Sequence, residues 1–197
     1  MARGTKPAVE RTDEELMALF QGGNEEAFNE IVARYKNPLT NFLFRLLGNY
    51  DDSVDVVQET FVRVFRKRDM YRPIAKFSTW IYTIASNLAK TELRRRALRG
   101  WLSFGQLRAG SGRDVDVADE RYSPERPAES ALMEGIIQKA LLSIPQKYRE
   151  VIVLRDIQEL SYEEVSKITG LSLGTVKSRI NRGRTQLQAL LRDIYNV

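Results

Sequence analysis

Apolar positions recur at helical spacing along most of the chain, and no stretch shows the strict alternation of a half-buried strand. Thr12 or Asp13 is placed to cap a first helix that runs to about Gln21, where Gly22-Gly23 breaks it and Asn24 caps the next. The second helix carries Phe28, Ile31, Val32, Tyr35, Leu39, Phe42, Phe44, Leu46 and Leu47, with Pro38 predicting a kink and Gly48-Asn49 an end. Asp51 or Asp52 starts a third, whose Val54, Val57, Phe61, Val64 and Phe65 share a face. Tyr71-Arg72-Pro73 forces a loop, because proline drives the preceding residue out of the helical region. Ser78 or Thr79 then caps a fourth helix, through Trp80, Ile81, Ile84, Leu88 and Leu93 to an arginine cluster.

Beyond Gly100 the pattern collapses into Gly, Ser, Asp, Arg and Pro, which predicts a flexible linker. Four further helical patterns follow, at about 129–142, 145–157, 161–169 and 172–191. The fold class is therefore all-α: an N-terminal extension (1–11), a small helical domain (12–99), a linker (100–128) and a second small helical domain (129–197).

The last two helices carry the sharpest signal. Ser161-Tyr162-Glu163-Glu164 is a capping box, Gly170 takes the left-handed position that ends the short helix, and Ser172 caps its successor. In that final helix Val176, Ile180, Gly183 and Leu187 form a buried stripe, while Thr175, Lys177, Ser178, Asn181, Arg182 and Thr185 face the other way. Ser172 to Leu191 contains several bases and no acid, unlike an ordinary solvated face. Two capped helices joined by a tight glycine turn, with such a face on the second, predict a helix-turn-helix that reads the major groove of DNA.

Composition narrows the chemistry. The chain has 197 residues, 43% hydrophobic and 29% charged, with a net charge of +5 that suits a polyanionic partner. There is no cysteine and no histidine, so neither a thiolate metal site nor the commonest general base is present. No apolar run is long enough for membrane insertion, and Met1 to Arg11 lacks the apolar centre of a secretory signal, which predicts a cytoplasmic protein. No cofactor is predicted and no catalytic residue stands out.

Asp52-Ser53-Val54-Asp55-Val56-Val57-Gln58-Glu59-Thr60-Phe61, Phe77-Ser78-Thr79-Trp80-Ile81-Tyr82-Thr83-Ile84-Ala85-Ser86-Asn87 and Arg94-Arg95-Arg96 resemble the domain 2 motifs of bacterial sigma factors. Leu160-Ser161-Tyr162-Glu163-Glu164-Val165 and Gly174-Thr175-Val176-Lys177-Ser178-Arg179 resemble their domain 4. With only those two domains in evidence, the chain is similar to the extracytoplasmic-function (ECF) group. The resemblance implies a subunit without enzymatic activity that recruits core RNA polymerase to promoter DNA. Asp52, Asp55, Gln58 and Glu59 would dock on the β′ clamp coiled coil, and domain 4 on the β flap. Tyr71, Arg72 and Lys76 in the loop, and Asn87, Lys90, Thr91, Arg94 and Arg95 on the fourth helix, would read and melt the −10 element. Lys177, Ser178, Asn181 and Arg182 would read −35 bases, with Arg149, Arg155, Arg179 and Arg184 anchoring phosphates. An anti-sigma factor is a further implied partner.

Other readings stand beside these. Trp80 falls at core spacing as well as in a DNA-facing motif, and the arginine cluster also complements the C-terminal helix dipole. A stand-alone helix-turn-helix regulator would share the second domain, and a metal-dependent nuclease would use Asp51, Asp52, Asp55 and Glu59.

Overall fold

The computed structural model describes residues 11–106 and 128–195, with side chains placed over 11–99 and 132–192. All the regular elements among them are helical. They run α1 (Asp13–Gln21), α2 (Glu25–Leu47), α3 (Tyr50–Arg66), a single 3₁₀ turn (Arg68–Met70), α4 (Phe77–Gln106), α5 (Ala128–Ser143), α6 (Gln146–Ile152) with a π turn (Val153–Ile157), α7 (Tyr162–Thr169) and α8 (Leu173–Tyr195).

Local chemistry sets most of these boundaries. Thr12 closes a full capping box with Glu15: its hydroxyl accepts from the Glu15 N–H at 3.2 Å, and Glu15 Oε2 accepts from the Thr12 N–H at 2.8 Å. Asn24 and Asn49 cap α2 and α3 through their side-chain oxygens. The third helix thus begins at Tyr50, just ahead of the aspartates that the sequence suggested as its start. Pro38 lies inside α2 without dividing it. Gly48 ends α2 at φ 74°, and a Cβ there would also stand 2.7 Å from Leu142 Cδ1, so α5 approaches a position that only glycine fills.

Two expectations shift. The fourth helix starts at Phe77 rather than after a Ser78 or Thr79 cap, because Glu14 of α1 reaches across to accept the Phe77 N–H at 2.9 Å. It also runs through Gly100 to Gln106, into the stretch expected to be linker. The rest of that expected linker, up to 127, and nearly all of the N-terminal extension fall outside the described residues.

The two halves share one contiguous core. Leu16, Phe20, Ile31, Leu39, Phe42, Phe77 and Ile81 from the first join Leu141, Val151, Leu154, Val165, Val176 and Ile180 from the second. Polar bonds stitch the seam. Gln138 Nε2 donates to the Phe44 carbonyl at 2.9 Å, which also accepts the Gly48 N–H, and Arg149 Nη1 donates to the Leu46 carbonyl in the last turn of α2 at 2.7 Å.

Candidate nucleic-acid interface

The helix-turn-helix is built as its sequence predicts. Ser161 and Glu164 complete the capping box of α7, and Gly170 closes it at φ 71°. The Ser172 hydroxyl accepts from the Thr175 N–H at 3.4 Å, opening α8. Val165, Ile168, Val176 and Ile180 are buried beneath the turn. Gly183 continues that stripe where α8 crosses α6: a Cβ would lie 2.5 Å from Ile152 Cδ1 and 3.1 Å from Tyr148 Cβ. Glycine here lets the two helices touch. Lys177, Ser178, Asn181 and Arg182 are exposed on the outer face and Arg179 is half-buried.

The other arginines expected at phosphates have protein partners in this conformation. Arg184 forms a fork on Asp156, with Nε–Oδ2 at 2.9 Å and Nη2–Oδ1 at 2.5 Å. Arg155 donates to the Leu160 carbonyl at 3.0 Å and lies over the Tyr162 ring. Arg149 is turned inward to the carbonyls of Leu46, Leu142 and Ile144, and burial holds its guanidinium below the ordinary arginine range.

On the fourth helix, Asn87, Thr91, Arg94 and Arg95 are exposed along one side. Beneath the arginine cluster sits Glu92, only 7% exposed, which sequence reasoning passed over. It pairs with Arg95 at 2.7 Å, Arg99 at 3.0 Å and Arg96 at 3.6 Å, so one carboxylate gathers the cluster. Its position in the helix, three residues before Arg95 and four before Arg96, was a legible signal.

The loop between α3 and α4 divides its side chains. Tyr71 is 3% exposed; its ring packs against Phe77 and Trp80, and its hydroxyl donates to the Ala75 carbonyl at 3.1 Å. In this conformation it is a core residue and does not offer its face to a base. Trp80 likewise packs against the core. Arg72 and Lys76 are exposed, and the loop also exposes Met70 and Ile74, the latter by 91%.

Two cations of the first half are held by carboxylates of the second. Lys90 Nζ is 2.8 Å from Glu150, which is 6% exposed and also accepts from the Ser86 hydroxyl at 2.5 Å. Lys76 Nζ is 2.9 Å from Glu164, the capping residue of α7. Tyr82 adds a third bridge, its hydroxyl 2.5 Å from Gln158. The π turn after α6 delivers Gln158, whose N–H bonds back to the Val153 carbonyl at 2.9 Å. Glu150 and Gln158 had no sequence signal, since nothing local marks a carboxylate or amide whose partner is more than sixty positions away.

On α3, Asp55, Gln58 and Glu59 are exposed on one face, with Glu59 paired to Arg63 at 2.8 Å. Val62 and Phe65 extend that face into an apolar groove lined also by Phe28 and Phe61. Asp52 instead turns toward α4, where Arg96 meets its carboxylate. Among the described residues no group of three or more carboxylates converges on a metal-sized site, and no helix is long and apolar enough to cross a membrane.

Described residues that are helical in every regular element, with an acidic face on α3, a basic helix led by a loop and a C-terminal helix-turn-helix, have the build of a two-region sigma factor. Residues 31–99 match Sigma-70 region 2, and residues 134–187 match Sigma-70 region 4. The chain is 36% identical to the ECF RNA polymerase sigma factor SigW of Bacillus subtilis over 87% of its own length and 92% of that protein's. Its fold is similar to that of the sigma factor RpoE in complex with the anti-sigma factor NepR from Bartonella quintana. There the TM-score is 0.69 at 27% identity, over 84% of this chain and 96% of that one. It is also similar to CnrH in complex with the cytosolic domain of CnrY, with a TM-score of 0.67 at 29% identity over 92% and 97% of the two chains. The chain belongs to the ECF RNA polymerase sigma factors, and it directs promoter-specific transcription initiation. Its relatives are not enzymes, and a stand-alone regulator is not favoured.

Proposed function

We propose that α8 reads the −35 element through Lys177, Ser178, Asn181 and Arg182, while the loop before α4 and the Asn87–Arg95 face read the −10 element. Asp55, Gln58 and Glu59 dock α3 on the β′ clamp coiled coil, and the C-terminal domain meets the β flap. The carrying observation is that Lys76 and Lys90, two of the cations assigned to −10 DNA, are each held by a carboxylate of the other half. Glu164 and Glu150 thus occupy the place of phosphates, and the compact arrangement is a closed form. Promoter binding exchanges those carboxylates for DNA as the halves part. The similar RpoE fold was solved with the anti-sigma factor NepR and the CnrH fold with the cytosolic domain of CnrY, which supports an anti-sigma factor for this chain too, and membership of the sigma-factor family supports a cytoplasmic site of action.

Run-off transcription from genomic fragments tests the proposal. Core polymerase with this protein should start at discrete sites that core alone does not use, with affinity falling steeply as salt rises. No discrete starts, and no retention of core by the immobilised protein, would refute it.

A further inference from the structure

The loop assigned to the −10 strand is held from outside the segment that matches region 2, which begins at residue 31. Its brace is α1. Gln21, the last residue of that helix, points its side-chain amide at the loop backbone: Nε2 is 2.7 Å from the Arg68 carbonyl and 3.1 Å from the Tyr71 carbonyl. A primary amide nitrogen has two hydrogens, and the two carbonyls take both. Those carbonyls bracket the turn at which the chain leaves the 3₁₀ segment. Immediately before Gln21 in the same helix, Phe20 lies under the Arg68 guanidinium at 5.4 Å, with Phe65 beside it at the same distance from the guanidinium. At the helix's other end Glu14 accepts the Phe77 N–H, fixing the far side of the loop where α4 begins.

Between these two anchors the loop is internally tied. Tyr71 fills the core beneath it, and Arg72 Nη1 donates to the Asp69 carbonyl at 2.6 Å and the Tyr71 carbonyl at 3.1 Å. The side chains left outside are Asp69, Met70, Arg72, Pro73, Ile74 and Lys76. A loop anchored at both ends by one helix presents those groups in one geometry, so little ordering entropy remains to be lost when single-stranded DNA binds.

We infer that Gln21 is a positioning residue for promoter recognition: it presets the 68–76 loop for the −10 strand without touching DNA. Glu14 performs the matching task at the start of α4. The inference rests on the assignment of the loop to −10 DNA. A glutamate at position 21 keeps the shape and loses both donors, and it sets a carboxylate against two carbonyls. A lysine restores N–H donors.

The test uses the full chain assembled with core polymerase. Gln21→Glu should weaken capture from a pool of short, randomised single-stranded DNA by roughly tenfold, the loss expected for one or two neutral hydrogen bonds. It should also flatten base preference within the selected sequences, while core affinity and binding to a −35 duplex stay unchanged. Gln21→Lys should recover much of the selectivity. In a Trp101→Phe background the emission of Trp80, whose ring lies 5.3 Å from Tyr71, should become more accessible to quencher in Gln21→Glu alone. Unchanged selectivity, or core, −35 and −10 binding all falling together with thermal stability, would overturn the inference. If the unaltered holoenzyme fails to select any single strand, the −10 assignment itself falls and this inference with it.

Discussion

Lys90 of α4 and Glu150 of α6 meet at 2.8 Å across the seam between the two halves, with the carboxylate almost wholly buried. Removing a buried carboxylate from water is costly, and the bonds from Lys90 and Ser86 offset that cost only while the halves stay together. Glu150→Gln keeps the shape and a group for Ser86 to bond but loses the charge. It should shift the closed-to-open balance toward open by about 1.5–3 kcal/mol, the range for hydrogen bonds to charged groups. Small-angle scattering of the free protein checks this, since the variant should be larger on average. An unchanged radius of gyration would mean the pair does not hold the seam.

The crossing of α8 over α6 makes a second prediction. Gly183→Ala gains helix propensity of up to about 1 kcal/mol, yet it pushes a methyl group into Ile152 and Tyr148. Overpacking of this kind costs about 1–3 kcal/mol, so the variant should melt earlier and bind −35 DNA less well. Adding Ile152→Val removes the Cδ1 that stands in the way and should restore most of the loss. A double variant no better than the single one would place the strain elsewhere.

The outer face of α8 divides by exposure. Arg182 is exposed and Arg179 half-buried. Arg182→Ala should relax selectivity at one −35 position, by about 1–3 kcal/mol, whereas Arg179→Ala should weaken binding evenly across sequences. Selection from a randomised −35 duplex library separates the two, and identical base profiles would refute the division.

The Lys76–Glu164 contact gives the closed form a pH dependence. Burial alone would raise the Glu164 value, but the hydrogen bonds from Lys76 and Ser161 outweigh it and leave the value below the ordinary carboxylate range. Lys76 lies above the ordinary lysine range, chiefly through its bond to Glu164. A carboxylate with a depressed folded value contributes above its ordinary range, and its contribution is lost as pH falls through the folded value. A lysine with a raised value contributes below its ordinary range, and that is lost as pH rises through the folded value. The contact is therefore complete at neutral pH and fails at both extremes. Lys76→Met should flatten the acid limb of closure followed by scattering; an identical acid limb would show that Glu164 is not stabilised by Lys76.

What the sequence made legible was local. The cap at Thr12 (one of the two candidates there), the Ser161 capping box, the glycine at 170 and the stripe Val176–Ile180–Gly183 each act within a few residues, and each is found as expected. The helix start at Phe77 was not legible, because the group that satisfies its N–H sits on Glu14, far away in the chain. The same holds for Arg149: its charge read as a phosphate anchor, but the open carbonyls of Leu46, Leu142 and Ile144 decide where it points in the closed form. Tyr71 carried chemistry suited to stacking on a base, and the aromatic pair Phe77 and Trp80 claims its ring. Tertiary partners, invisible to a local reading, decided these positions.

The central claim is that one set of cations serves first the closed form and then the promoter. The chain has no cysteine, so Lys36→Cys and Gln188→Cys on exposed sites of α2 and α8 accept a dye pair without interference. Energy transfer between them should be high in the free protein and fall sharply when core polymerase and promoter DNA are both added, with the Glu150→Gln variant intermediate before addition. Transfer that stays equally high in the promoter-bound holoenzyme would contradict the account.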